Sequence, residues 1–301
     1  MNPQTKKRLT VLFADDGSQH AQAAVQLLKA LPMPVKSKVF VLRVFTPSQG
    51  AYISPMEKEL KWTEQRLLES GFLVKTDLTM GYPAEKIIEV AESMKPDLIV
   101  VGAKGLRATL GILLGGVAQQ VVEYACCPVL VVRSPFRGLD HVLLVTDGSE
   151  SSQSAAYYLS KFPLPENTKI GVLHALAPFV EQISIETYAG GWHGVPIYES
   201  WTEEERAEFT AKEEEDGHAL LSRTCDLIQK HGLNPTPVLL RGDAATEIIE
   251  HVKSQDINLI VAGSRGLSSF KGWLLGSVSR KLVHYSDCSV LIVKSSQEVK
   301  N

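Results

Sequence analysis

The chain carries one pattern twice. An apolar run at 9–14 leads into Asp16-Gly17-Ser18, and a second at 141–145 leads into Asp147-Gly148-Ser149. The next apolar runs, 39–44 and 170–175, keep the spacing that separates Asp16 from Asp147. Further on, Gly81 matches Gly242 and Gly102 matches Gly263, at a wider spacing that is the same for both pairs. The widening places one insertion in the second copy, within about 177–212. A 301-residue chain built this way folds as two similar units, 1–136 and 137–301. The short stretch 134–138 between them leaves the units in contact.

Each copy alternates short branched apolar runs with segments of helical spacing. In the first copy, helical periodicity over 19–31 is stopped by Pro32 and Pro34. Helices are predicted over 55–70, closed by Gly71, over 83–94, with Pro83 at the first turn, and over 117–125. Strands are predicted over 72–79 and 129–133. This alternation defines an α/β chain of two tandem doubly wound parallel-sheet domains of Rossmann-like type.

The chemistry concentrates at Gly263, Gly266, Gly276 and Ser277. A buried strand is expected just before them (257–262) and a helix just after (278–285), with Ser277 where an N-cap belongs. Glycines permit left-handed backbone and close approach to a ligand, and a helix N-terminus favours an anion. The pattern is a phosphate cradle, though not a P-loop, because no G-x4-G-K-[ST] occurs. The first copy repeats it as Gly102, Gly105, Gly115 and Gly116, in the same strand–loop–helix setting. Ligands of open α/β sheets bind outside the carboxyl ends of the strands. Asp16 and Asp147 close their first strands on that same edge, where they serve either a ligand or the cap of the following helix. One crevice per copy then holds a carboxylate, apolar strand ends and an anion-binding helix terminus, which suits a nucleotide.

Composition excludes several other readings. A formal net charge of −3 gives no basis for bulk attraction to nucleic acid. No apolar run reaches the length of a membrane span, and residues 1–8 hold no secretory hydrophobic segment. Cys126, Cys127, Cys225 and Cys288 follow no metal-ligand spacing and suit a reducing compartment, so a cytoplasmic protein is expected. Cys127 and Cys288 occupy matching positions before the last strands and read as small buried residues. Lys104 and Arg265 lie within the glycine loops as phosphate partners or solvated charges. His174 reads as a packed strand-end residue, the acidic run 203–216 as the solvated face of a long second helix, and 189–194 as a surface loop or oligomer contact, with a lid as the alternative. No catalytic residue and no protein-held metal site is assigned.

These residues resemble the universal stress protein family in its tandem, ATP-binding form. The resemblance covers nearly the whole chain. It rests on Asp-Gly-Ser at 147–149, Gly-Asp-Ala at 242–244, and the pattern G-x2-G-x9-G-[ST], met in full by Gly263, Gly266, Gly276 and Ser277. It implies the adenine nucleotide alpha-hydrolase-like fold and ATP as ligand, with Mg2+ held through the phosphates. Asp147 and Ala175 would contact the adenosine; the 263–266 loop with Gly276, Ser277 and Val278 would hold the phosphates. Carried to the first copy, the positions are Asp16, Val44, Gly102, Gly105, Gly115 and Gly116. The first copy departs at Gly116, where a hydroxyl residue is expected, so its site is expected to be weaker. The resemblance implies a regulatory stress-response module. The alternative is a slow ATPase or adenylyl-transferring enzyme, against which stands the lack of His-x-Gly-His and of a Ser-Gly-Gly-x-Asp-Ser loop. It also implies an intramolecular pseudo-dimer of the two domains through their last strands, with a homodimer as a further assembly.

Overall fold

The computed structural model describes residues 8–105, 114–179, 183–185, 196–198, 202–266 and 275–295. The first copy runs β1 (Thr10–Ala14), α1 (Gln19–Ala30), β2 (Lys38–Phe45), a 3-10 turn (Pro47–Tyr52), α2 (Ile53–Leu68), β3 (Leu73–Met80), α3 (Pro83–Met94), β4 (Leu98–Gly102), α4 (Gly116–Tyr124) and β5 (Val129–Val132). The second runs β6 (His141–Val145), α5 (Glu150–Lys161), β7 (Lys169–Leu176), then a hairpin of β8 (Ile183–Ile185) and β9 (Pro196–Tyr198) inside the insertion. It continues through α6 (Glu203–Gln229), β10 (Pro235–Arg241), α7 (Ala244–Ser254), β11 (Leu259–Gly263), α8 (Ser277–Tyr285) and β12 (Ser289–Val293). The segment 189–194, read as a surface loop, oligomer contact or lid, lies outside the described residues.

All main strands join one ten-stranded sheet, ordered β10-β7-β6-β11-β12-β5-β4-β1-β2-β3. Within each copy the pairing is parallel, as crossover helices require. The two copies meet where β5 and β12 pair antiparallel, with Leu130 opposite Leu291 at the centre. Those leucines are equivalent positions of the repeat. The run of fully buried residues in both strands explains the seam, because either one left open would be an apolar edge.

Cations immediately after the same two strands close helices across the seam. Buried Arg133 donates from Nη2 to the carbonyls of Val283 (2.7 Å) and His284 (3.1 Å), at the end of α8. Lys294, its counterpart, donates to the Glu123 carbonyl of α4 at 3.0 Å. Unsatisfied carbonyls at helix C-termini favour such cations.

Helices α1, α2, α5 and α6 cover one face through Leu27, Leu28, Leu67, Leu159 and Ile228. Helices α3, α4, α7 and α8 cover the other through Ile87, Val121, Ile248 and Leu282. Buried on both faces, the central strands read as continuous apolar runs. The acidic stretch is the exposed first half of the 27-residue helix α6, begun by a Thr202–Glu205 capping box.

Candidate nucleotide-binding crevices

The turns after β1 and β6 are built alike. Asp16 Oδ1 accepts the Ser18 N–H at 3.0 Å, and Asp147 Oδ1 accepts the Ser149 N–H at 3.0 Å. The aspartates therefore shape a turn before the helix, and the helix caps are the serines. Ser18 Oγ accepts from the Ala21 N–H and Ser149 Oγ from the Ser152 N–H, both at 3.2 Å. The same hydroxyls donate outward to the glycine loops, Ser18 to the Lys104 carbonyl (3.1 Å) and Ser149 to that of Arg265 (3.4 Å). Each serine thus fastens the glycine loop to the first helix, a role that sequence reasoning missed.

The glycines are needed for close approach rather than for left-handed backbone. None of Gly102, Gly105, Gly263, Gly266 and Gly276 has a positive φ. A Cβ on Gly105 would stand 2.6 Å from Asp16 Oδ2, and one on Gly266 2.7 Å from Asp147 Oδ2. A Cβ on Gly263 would meet the Ser151 backbone at 2.6 Å, and one on Gly102 the Ala21 nitrogen at 3.2 Å. Gly102 and Gly263 are packed against the backbone of the first helix, and Gly105 and Gly266 against the aspartate carboxylate.

The helix starts differ from expectation by one residue. Gly276 is the N-cap of α8 and Ser277 its first helical residue; Gly115 and Gly116 take those places in α4. The cap N–H groups are consumed inside the loops, Gly276 to the Ser264 carbonyl and Gly115 to that of Ala103, both at 2.7 Å. These bonds hold the caps extended, which carries Ser277 into the helix. The next N–H groups, of Ser277, Val278 and Ser279 in α8, have no acceptor within the helix and face its open end. Buried Ser279 donates its hydroxyl to the Gly263 carbonyl at 2.7 Å, tying α8 to the end of β11.

The expected residues do converge. A crevice of about 400 Å³ in the first copy is lined by Asp16, Val44, Gly102, Gly105, Gly115 and Gly116, over a floor that includes Ala14, Leu42, Ile87 and Val101. The equivalent crevice of the second copy is smaller, about 100 Å³, and is lined by Asp147, Ala175, Gly263, Gly266, Ser277 and Val278. Gly276 stands behind that lining, where a Cβ would press on the Arg265–Gly266 backbone from 3.4 Å. Arg265 borders the second crevice, whereas Lys104 is absent from the lining of the first. His174 also borders the second, its Nδ1 donating to the Thr146 carbonyl at 2.9 Å. Asp243, in the Gly-Asp-Ala motif, caps α7 by accepting the Thr246 N–H at 3.1 Å.

A buried polar network beside the first crevice was not legible. Arg43 and Asp15 are each 3% exposed and pair at 2.9 Å. Asp15 Oδ2 also accepts from Thr63 Oγ1 at 2.9 Å, and Arg43 Nη1 reaches Glu59 at 2.7 Å. The repeat spacing held the available signal, since the equivalents of Asp15, Arg43 and Glu59 are Thr146, His174 and Leu220.

Fold and crevices together define a tandem α/β protein with two crevices at the carboxyl edge of its sheet. The sequence pattern of the universal stress protein family matches residues 7–133 and 138–294. The chain belongs to that family. A universal stress protein of Methanocaldococcus jannaschii is 35% identical over 140 residues, 42% of this chain and 82% of the relative. One from Mycobacterium tuberculosis is 24% identical over 249 residues, 80% of this chain and 75% of its own length. The crystal structure of a universal stress protein from Archaeoglobus fulgidus matches with a TM-score of 0.63 at 19% identity, covering 96% of this chain and 97% of that one.

Proposed function

We propose that the protein binds an adenine nucleotide, ATP, in these crevices and acts as a regulatory module whose ligand state is read by a partner. The observation that carries this reading is the second crevice. There the full glycine pattern meets Asp147, with Gly266 so close that a Cβ would sit 2.7 Å from the carboxylate, and the open end of α8 facing the same space. The helix terminus suits phosphates, Asp147 a ribose or base edge, and Ala175, Ala262 and Val278 an adenine face. Arg265, drawn into the crevice, would move onto the phosphates and open room for the rest. Among the described residues no three His, Cys, Asp or Glu side chains gather as a metal site. In this reading Mg2+ would be held through the phosphate oxygens.

The first crevice offers more room but no hydroxyl at its helix start, so it is the weaker of the two sites in this proposal. The antiparallel seam of β5 and β12 acts as a built-in pseudo-dimer contact that puts both sites in one chain. No described helix is long and apolar enough to cross a membrane, and the four free cysteines agree with work in the cytoplasm. Calorimetric titration with Mg-ATP tests the reading, alongside mass spectrometry of any nucleotide that co-purifies. One tight and one weak event per chain are expected; absence of any binding removes the proposal.

A further inference from the structure

The sheet ends on two edges that are equivalent by the repeat yet opposite in character. β10 pairs with β7 along one side only, and β3 with β2. The Gly242 N–H bonds to the Leu176 carbonyl, so the even-numbered residues of β10 face β7 and the odd-numbered ones face outward. Pro235 and Pro237 are both odd. The outer edge of β10 thus lacks two donors, and a further strand cannot be added there.

On β3 the N–H groups of Leu73 and Gly81 bond to the carbonyls of Ser37 and Phe45. Odd-numbered residues therefore face β2, and Val74, Thr76 and Leu78 present their N–H and C=O groups outward. Val74 and Thr76 are the equivalents of Pro235 and Pro237, by the same spacing that relates Gly81 to Gly242. The first copy keeps open the very positions that the second copy closes. Among the described residues no element pairs with this outer edge.

We infer that β3 is a self-association edge, and that its occupant is β3 of a second copy of this chain, paired antiparallel about Thr76. The register follows from backbone parity and charge. Outward-facing residues must pair with outward-facing ones, so a twofold axis must pass through a residue position and not between two. The axis through Thr76 alone sets Lys75 opposite Asp77, twice, and aligns Val74 with Leu78 across the whole strand. Lys75 and Asp77 are exposed and fall at the non-hydrogen-bonded pairs, where side chains approach most closely. Charges on an edge strand ordinarily repel a neighbour, but here each meets its opposite. Exposed Leu73 would pack beside Thr79 of the second copy. The chain already joins two equivalent strands antiparallel in the β5–β12 pair, about the equivalent residues Leu130 and Leu291. The product is a closed C2 dimer with a continuous sheet and both outer edges blocked by proline.

Sedimentation equilibrium of the full chain tests this. The wild type should dimerise, and Thr76→Pro should be monomeric with an unchanged circular dichroism spectrum, because the second copy holds Pro237 at that position in the same fold. Lys75→Asp, which sets like charges opposite each other twice, should weaken association about tenfold. Lys75→Asp combined with Asp77→Lys should restore it. A wild type that stays monomeric at roughly 100 µM overturns the inference. So does a dimer indifferent to both Thr76→Pro and Lys75→Asp, or a monomer whose Val74, Thr76 and Leu78 amides are protected by some other extended segment.

Discussion

Arg43 Nη2 and Asp15 Oδ2 lie 2.9 Å apart, both buried, where the second copy holds His174 and Thr146. The two halves share a backbone plan but solve the same polar problem differently. In the first, a charge pair is completed by Thr63 and Glu59. In the second, a histidine donates to the Thr146 carbonyl, and Leu220 stands where Glu59 would be, against Gly148.

Breaking the pair should be costly. Asp15→Ala leaves the Arg43 guanidinium buried without its carboxylate, and should lower stability by about 3–5 kcal/mol. Replacing both residues by the second copy's choice, Asp15→Thr with Arg43→His, should cost less than Asp15→Ala alone. Urea midpoints of the three proteins check the order.

Gly266→Ala tests the proposed second site without touching its helix. The added methyl collides with Asp147 Oδ2 at 2.7 Å and must displace the carboxylate or the loop. ATP affinity at the tight site should fall at least about tenfold, with thermal stability changed little. Equal calorimetric affinity in wild type and variant would exclude Asp147 from the ligand.

Gly116→Ser is the complementary gain. A Cβ at Gly116 meets nothing within 4 Å, so the side chain is accommodated without strain. A hydrogen bond to a charged group contributes roughly 1.5–3 kcal/mol, and solvent recovers part of it. The weak site should therefore strengthen by about tenfold, leaving the tight one unmoved. The converse, Ser277→Gly, should bring the two sites together.

Acid should destabilise the fold through His20. Its Nδ1 accepts the Ser134 N–H at 3.0 Å, which requires the neutral ring. Burial, aided by Arg133 and Lys104, holds its pKa below the usual 6.5, against an opposing hydrogen bond at Val132. Burial also lowers His251 and His284. A folded pKa below the unfolded one means that this stability is complete above pH 6.5 and is lost as pH falls through the folded value. Urea midpoints should drop on acidification below pH 6.5, and His20→Asn, which keeps an acceptor that does not titrate, should flatten part of that slope.

The cysteines should differ in reactivity. Burial pushes Cys127 and Cys288 up to about 12, and Cys225 is raised by the same cause. Cys126 is half-buried. Brief alkylation of the native protein near pH 7.5 should label Cys126 first, as read by peptide mass spectrometry, with the other three protected until unfolding.

What the sequence by itself determined is local and periodic. The repeat spacing set two α/β units, the apolar runs set the buried strands, and the glycine pattern marked where loop and helix must meet closely. It located Asp16 and Asp147 at the strand ends, because strand polarity alone puts them on one edge. The tertiary structure decided what depends on partners distant in sequence. The reason Gly105 and Gly266 are glycine is an aspartate far earlier in the chain, just after β1 or β6. Ser277 entered the helix because the Gly276 N–H is taken by Ser264. Arg43 found Asp15 only once β2 lay beside β1. Two equivalent strand edges, β5 and β12, were sealed against each other, whereas β3 and β10 were left outermost. Periodicity reports which side of an element is buried, but which neighbour buries it is settled only when the whole sheet assembles.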